Sequence, residues 1–81
     1  MSLDPIYAKL TEILREVFDD ETVVATPELT ADQVAGWDSF AHLRVIFTVE
    51  QAFGVSFSAQ QMSSMKNVGD LAQLIASKLG R

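Results

Sequence analysis

Gly36-Trp37-Asp38-Ser39-Phe40-Ala41-His42-Leu43-Arg44-Val45-Ile46-Phe47-Thr48-Val49-Glu50-Gln51-Ala52-Phe53-Gly54 carries most of what this chain tells about itself. A polar stretch gives way at Ser39 to a helical pattern that runs to about Phe53. Gly54 stops it, as glycine often does just past a helix end. With about 100° between successive residues, Val45, Ile46, Val49 and Phe53 share one side, the natural core face. Phe40, Leu43 and Phe47 share nearly the opposite side, with Arg44 and Gln51 flanking them and Glu50 near the edge. A surface helix of a small bundle needs one buried stripe. The second stripe is therefore either covered by the loop before it or left as a partly exposed apolar patch, and such patches mark interaction sites.

Ser39 stands at the start of this helix, with the acid Asp38 before it and a bulky apolar residue after it. A hydroxyl in that position is well placed for modification by another protein. His42, three residues on, suggests a nucleophile–base pair, but a hydrolase also needs an oriented base, an oxyanion hole and a pocket. A chain of 81 residues with one histidine supplies little of this, so no catalytic residue is assigned and the chain is read as a non-enzyme. His42 falls near the core-facing side and is read as a satisfied, half-buried histidine.

On either side of this helix the chain reads as further helices. Asp4 is a candidate cap and Pro5 suits the first helical position. Ile6, Leu10, Ile13, Leu14 and Val17 then mark one face of a helix to about Phe18. Residues 19–38 hold no period and are punctuated by Pro27 and Gly36. So long a loop is unusual in a compact domain, and Val23, Val24, Leu29 and Val34 are expected to pin it to the core, with a short helical turn near Asp32. Trp37 is expected to anchor its end. Ser58 to Met65 reads as a short helix capped by Ser58, with Met62 and Met65 filling gaps in the core. Asn67 opens the last helix, Asp70 adds a favourable charge to its first turn, Val68, Leu71, Ile75 and Leu79 form its stripe, and Gly80 ends it. The expected fold is all-α: one domain over residues 1–81, a small four-helix bundle of three longer helices and one short one, with a long first loop.

Composition narrows the function. The chain is 48% hydrophobic and 21% charged, which suits a globular domain. At this length roughly 60–65% of the unfolded surface is buried, and stability is on the order of 5 kcal/mol. There is no cysteine, hence no disulfide framework or thiolate site, which fits the cytoplasm. No apolar run reaches membrane-spanning length, and the first residues lack the order of a signal peptide. The net charge of −5 argues against nucleic acid. It is unevenly spread: nine acids and two bases precede Ser39, two acids and four bases follow it. Asp19-Asp20-Glu21 is too short for a calcium loop and reads as a solvated turn; no metal site is expected.

Trp37-Asp38-Ser39-Phe40 resembles the attachment motif of the acyl carrier protein family, Asp-Ser-Leu, with Phe40 in place of the leucine. The likeness continues in Val49-Glu50-Gln51-Ala52-Phe53-Gly54-Val55 and in Asn67-Val68-Gly69-Asp70-Leu71, which is similar to the family's Thr-Val-Gly-Asp entry to the last helix. Helix number, order and the long first loop agree as well. The resemblance implies that Ser39 receives a 4′-phosphopantetheine arm from coenzyme A, joined by a magnesium-dependent phosphopantetheinyl transferase that Asp38 assists. It implies a thioester-held acyl cargo passed among acyl-loading and acyl-processing enzymes, which would dock on Phe40, Leu43, Arg44, Phe47 and Glu50. Fatty-acid carriers show a strongly acidic second helix, whereas here Ala41, His42, Arg44 and Gln51 stand where acids are common. The expectation is therefore a specialised, secondary or polyketide-like pathway, and a free-standing cytoplasmic monomer. Two alternatives are an aminoacyl or peptidyl carrier, which differs only in its loading enzyme, and an unmodified helical interaction module.

Overall fold

The computed structural model describes residues 3–80. Four helices, α1 (Asp4–Phe18), α2 (Ser39–Phe53), α3 (Ala59–Ser64) and α4 (Val68–Lys78), and a 3-10 turn at Ala31–Gln33 make up its regular structure. Burial follows the apolar spacing. Ile6, Leu10, Ile13 and Leu14 of α1 meet Val45, Ile46 and Val49 of α2 and Leu71, Ala72, Ile75 and Ala76 of α4 in one core. Val17 and Leu79, expected in the buried stripes, only border that core.

Helix α1 starts one residue earlier than a capping Asp4 requires. Leu3 holds the cap position with φ −94° and ψ 5°, and its own side chain makes no capping hydrogen bond. Its carbonyl already accepts from Tyr7 N–H at 3.0 Å, so Asp4 lies inside the first turn, where its charge still suits the helix dipole.

The long loop is held by side chains and by α4. Arg15 Nε donates to Val23 O at 2.8 Å, and Ala25 N–H donates to Thr11 Oγ1 at 2.9 Å. Val23, Ala25 and Val34 are buried. Val24, expected to help pin the loop, is instead 52% exposed. Burial alternates across Val23, Val24 and Ala25, as it does where successive side chains of an extended run point to opposite sides. Val68 N–H donates to Leu29 O at 2.8 Å and Gly69 N–H to Pro27 O at 3.0 Å, so the first turn of α4 satisfies two loop carbonyls. Bonds from the Thr22 hydroxyl and N–H hold the Asp20 carboxyl below the ordinary aspartate range, and the Thr30 hydroxyl does the same for Asp32. Both carboxylates favour the fold above the ordinary aspartate pKa, and this contribution fades as pH falls through the lowered native values.

The remaining ends are closed by local chemistry. Gly54 takes φ 67° and sends its N–H to Glu50 O. Ser58 and Gln61 bond each other's backbone reciprocally at the start of α3. Asn67 Oδ1 accepts from Asp70 N–H at 2.8 Å while Asp70 Oδ2 accepts from Lys66 N–H at 2.9 Å, which fixes the start of α4. No helix among the described residues is long and apolar enough to cross a membrane.

Candidate functional site

Ser39 is the first residue of α2 and is exposed. Among the described residues its hydroxyl has no hydrogen-bond partner. The cap is Asp38: its extended backbone (φ −106°, ψ −168°) lets Oδ1 accept from Ala41 N–H at 2.9 Å. The amides of Ser39 and Phe40 thus open the helix with no intrahelical acceptor, beside the hydroxyl, and could satisfy an attached phosphate. The capping role falls to Asp38 and leaves Ser39 free; an Asp directly before an apolar helical pattern is the signal that could have revealed this.

Beside Ser39 opens a groove of about 660 Å³ between the loop, α2, α3 and the start of α4. Leu29 and Trp37 form its loop side, His42 and Leu43 its α2 side, and Met62 and Met65 its α3 side. Trp37 is half-buried, its ring 5.2 Å from that of Phe18, so it does anchor the loop's end. Met62 and Met65 pack against the core and line the groove at once. His42 is satisfied and half-buried: Trp37 Nε1–H lies 3.2 Å from Nδ1, and Nε2 lies 3.1 Å from Met62 O. Both ring nitrogens are thereby engaged away from Ser39, so the nucleophile–base pair that their spacing suggested does not form.

The opposite face of α2 resolves the open question about its second stripe. Phe40 is 80% exposed, Phe47 57% and Leu43 42%, so the loop does not cover them. Arg44 is exposed beside them, with no ion-pair partner among the described residues. Glu50 is set apart from this patch in role: its Oε2 accepts from Phe57 N–H at 2.8 Å and holds the turn after α2, leaving the carboxylate half-buried. Phe40, Leu43, Phe47 and Arg44 thus form one exposed surface next to Ser39, while Glu50 lies toward its far end.

A helical bundle that presents a free hydroxyl at a helix N-terminus, between an apolar groove and an exposed apolar patch, has the architecture of a carrier scaffold. The phosphopantetheine attachment site family matches residues 8–75 of the chain. An acyl carrier protein of Coprothermobacter proteolyticus is 30% identical over 98% of this chain and 96% of its own length. One of Acidothermus cellulolyticus is 30% identical over 95% of this chain and 92% of its own. The solution structure of a holo acyl carrier protein from Geobacter metallireducens superposes with a TM-score of 0.88 at 40% identity, covering 95% of this chain and 88% of that one. The chain belongs to the acyl carrier protein family, whose prosthetic group is phosphopantetheine.

Proposed function

We propose that Ser39 is the attachment residue and that the protein shuttles acyl groups, held as thioesters on a 4′-phosphopantetheine arm, between the enzymes of a specialised pathway. The observation that carries the assignment is the exposed hydroxyl at the first position of α2, which has no hydrogen-bond partner among the described residues. The arm supplies the thiol that this cysteine-free chain lacks. The chain's own part is to offer the hydroxyl, to set helix amides beside the phosphodiester charge, and to present α2 to partners. The groove beside Ser39 gives a tethered chain an apolar wall to lie against. A cytoplasmic setting suits the cysteine-free composition. Intact mass after incubation with coenzyme A, magnesium and a broad-specificity transferase tests the assignment: a gain of one phosphopantetheine supports it, and no gain with several transferases counts against it.

Asp38 has two roles that substitution separates. Asparagine caps as well as aspartate, so Asp38→Asn should keep stability within about 0.5 kcal/mol, whereas Asp38→Ala should lose about 1 kcal/mol with the bond to Ala41. If the transferase uses the Asp38 charge, both variants load slowly. Loading of Asp38→Asn at the wild-type rate would reduce Asp38 to a cap.

The case for a specialised pathway rests on α2. Its exposed face carries Phe40, Leu43, Phe47 and Arg44, and its one acid, Glu50, is tied to the turn that follows. Partners reading this face need an apolar surface with little positive charge. Arg44→Glu should slow acylation by the protein's own loading enzyme roughly three- to tenfold and improve acceptance by fatty acid synthase enzymes, both effects weakening with added salt. Unchanged rates with both sets of enzymes would remove charge as the basis of partner choice. An aminoacyl or peptidyl cargo would use the same hydroxyl and a different loading enzyme. The exposed patch also supports an unmodified interaction module, which predicts partner binding that survives Ser39→Ala.

A further inference from the structure

Helix α3 is lightly held. None of its residues is fully buried, and its cap and serine hydroxyls bond only within residues 58–64. Among the described residues a single hydrogen bond joins α3 to another element, the contact between His42 Nε2 and Met62 O at 3.1 Å. Through Nδ1 the same ring meets Trp37 Nε1–H at 3.2 Å. Trp37 and Met62 lie on the loop side and the α3 side of the groove beside Ser39, and His42 lies between them.

The chemistry of these two contacts fixes the imidazole. An indole N–H only donates and a peptide carbonyl only accepts. Nδ1 must therefore be bare and Nε2 must carry the proton. The other neutral tautomer would set N–H against N–H at Trp37 and a lone pair against a lone pair at Met62. Only the Nε2–H form satisfies both sides of the groove at once.

We infer that His42, held as the neutral Nε2–H tautomer, is a latch that ties α3 to the loop through Trp37 and sets how far the groove opens. Of α3 only Met62 packs against the core, and an element with so few buried contacts opens locally at low free energy, so the hydrogen bond at Met62 adds a large share to what holds α3 in place. That a tethered chain would lie in this groove rests on the carrier reading above, whereas the latch is a property of the unmodified chain.

The test is NMR on the full, unmodified chain, so a failure of phosphopantetheine loading leaves its result untouched. The wild-type imidazole should show a bare Nδ1 and a protonated Nε2. Three variants then divide the bridge. His42→Asn places an oxygen near the Nδ1 position and should keep the Trp37 bond while losing that to Met62. His42→Gln reaches the Nε2 position and should keep the Met62 bond while losing that to Trp37. His42→Leu should lose both. Amide exchange at Met62, Ser63 and Ser64 should rise roughly three- to tenfold in His42→Leu and His42→Asn and stay near wild type in His42→Gln. The one tryptophan of the chain gives one indole signal, which should lose protection in His42→Leu and His42→Gln and retain it in His42→Asn. Exchange at Val45 and Val49 in the core should not change. A proton on Nδ1 in the wild type overturns the proposal. So does an α3 indifferent to all three variants, or Trp37 and α3 loosening together in all three, which would mean that the imidazole only fills space.

Discussion

Ser39→Ala should give a folded protein that takes up no phosphopantetheine. The effect on loading is all or none, because the hydroxyl is the atom to be joined and no neighbouring side chain on α2 can replace it: Phe40 follows, and His42 is engaged by Trp37 and Met62. The effect on folding should be small. Asp38 caps the helix, Ser39 is exposed, and its hydroxyl has no partner among the described residues. Alanine is the best helix former, so stability should stay within about 0.5 kcal/mol of wild type. Intact mass and a denaturant titration on the same samples separate the two effects. A variant that failed to fold would mean that Ser39 makes a structural contribution its geometry does not reveal. A variant that still gained the mass would move the attachment site elsewhere.

Gly69→Ala should destabilise the fold by about 1–2 kcal/mol, against the sign that helix propensity alone predicts. Alanine inside a helix is favoured over glycine by about 0.5–1 kcal/mol. Here an added Cβ would lie 2.8 Å from the Pro27 carbonyl oxygen, 3.2 Å from Pro27 Cα and 3.1 Å from Asn67 Oδ1. The backbone of the loop must move, because two of those atoms belong to it, and forcing an extra methyl into such a site costs about 1–3 kcal/mol. The same movement strains the bonds from Val68 to Leu29 and from Gly69 to Pro27, which seat the loop on α4. For a domain with stability on the order of 5 kcal/mol this is a large share. The chemical shifts of Leu29 and Ala31, on the groove, should change with it. Stability equal to or above wild type would mean that the loop gives way freely and that this contact does not hold it.

The helices were legible because their apolar spacing and end residues point the same way. Gly54, Ser58, Asn67 and Gly80 each stand where the chain leaves or enters a helix. Asp4 is a plausible cap by residue type, yet Leu3 takes the position, because propensity cannot show the backbone angles at Leu3. Val24 faces outward against expectation, because the composition of an irregular run does not show which of its residues turn inward. Periodicity identified the stripe of Phe40, Leu43 and Phe47, but whether the loop covered it depended on where that loop lies in space. The contacts that shape the groove were out of reach for the same reason. Met62 is 20 residues from His42, and the Pro27 carbonyl that requires a glycine at position 69 belongs to another element. Ser39 is legible from local sequence, and so is the Asp38 cap beside it, since an Asp directly before an apolar helical pattern signals a helix start.

Peptide mapping decides whether Ser39 carries the arm. After treatment with coenzyme A, magnesium and a transferase, cleavage at arginine releases residues 16–44, in which Ser39 is the sole serine. This peptide should gain one phosphopantetheine, and its fragment ions should place the group on Ser39. A chain that stays unmodified with several transferases, or a group found on any other residue, would contradict it.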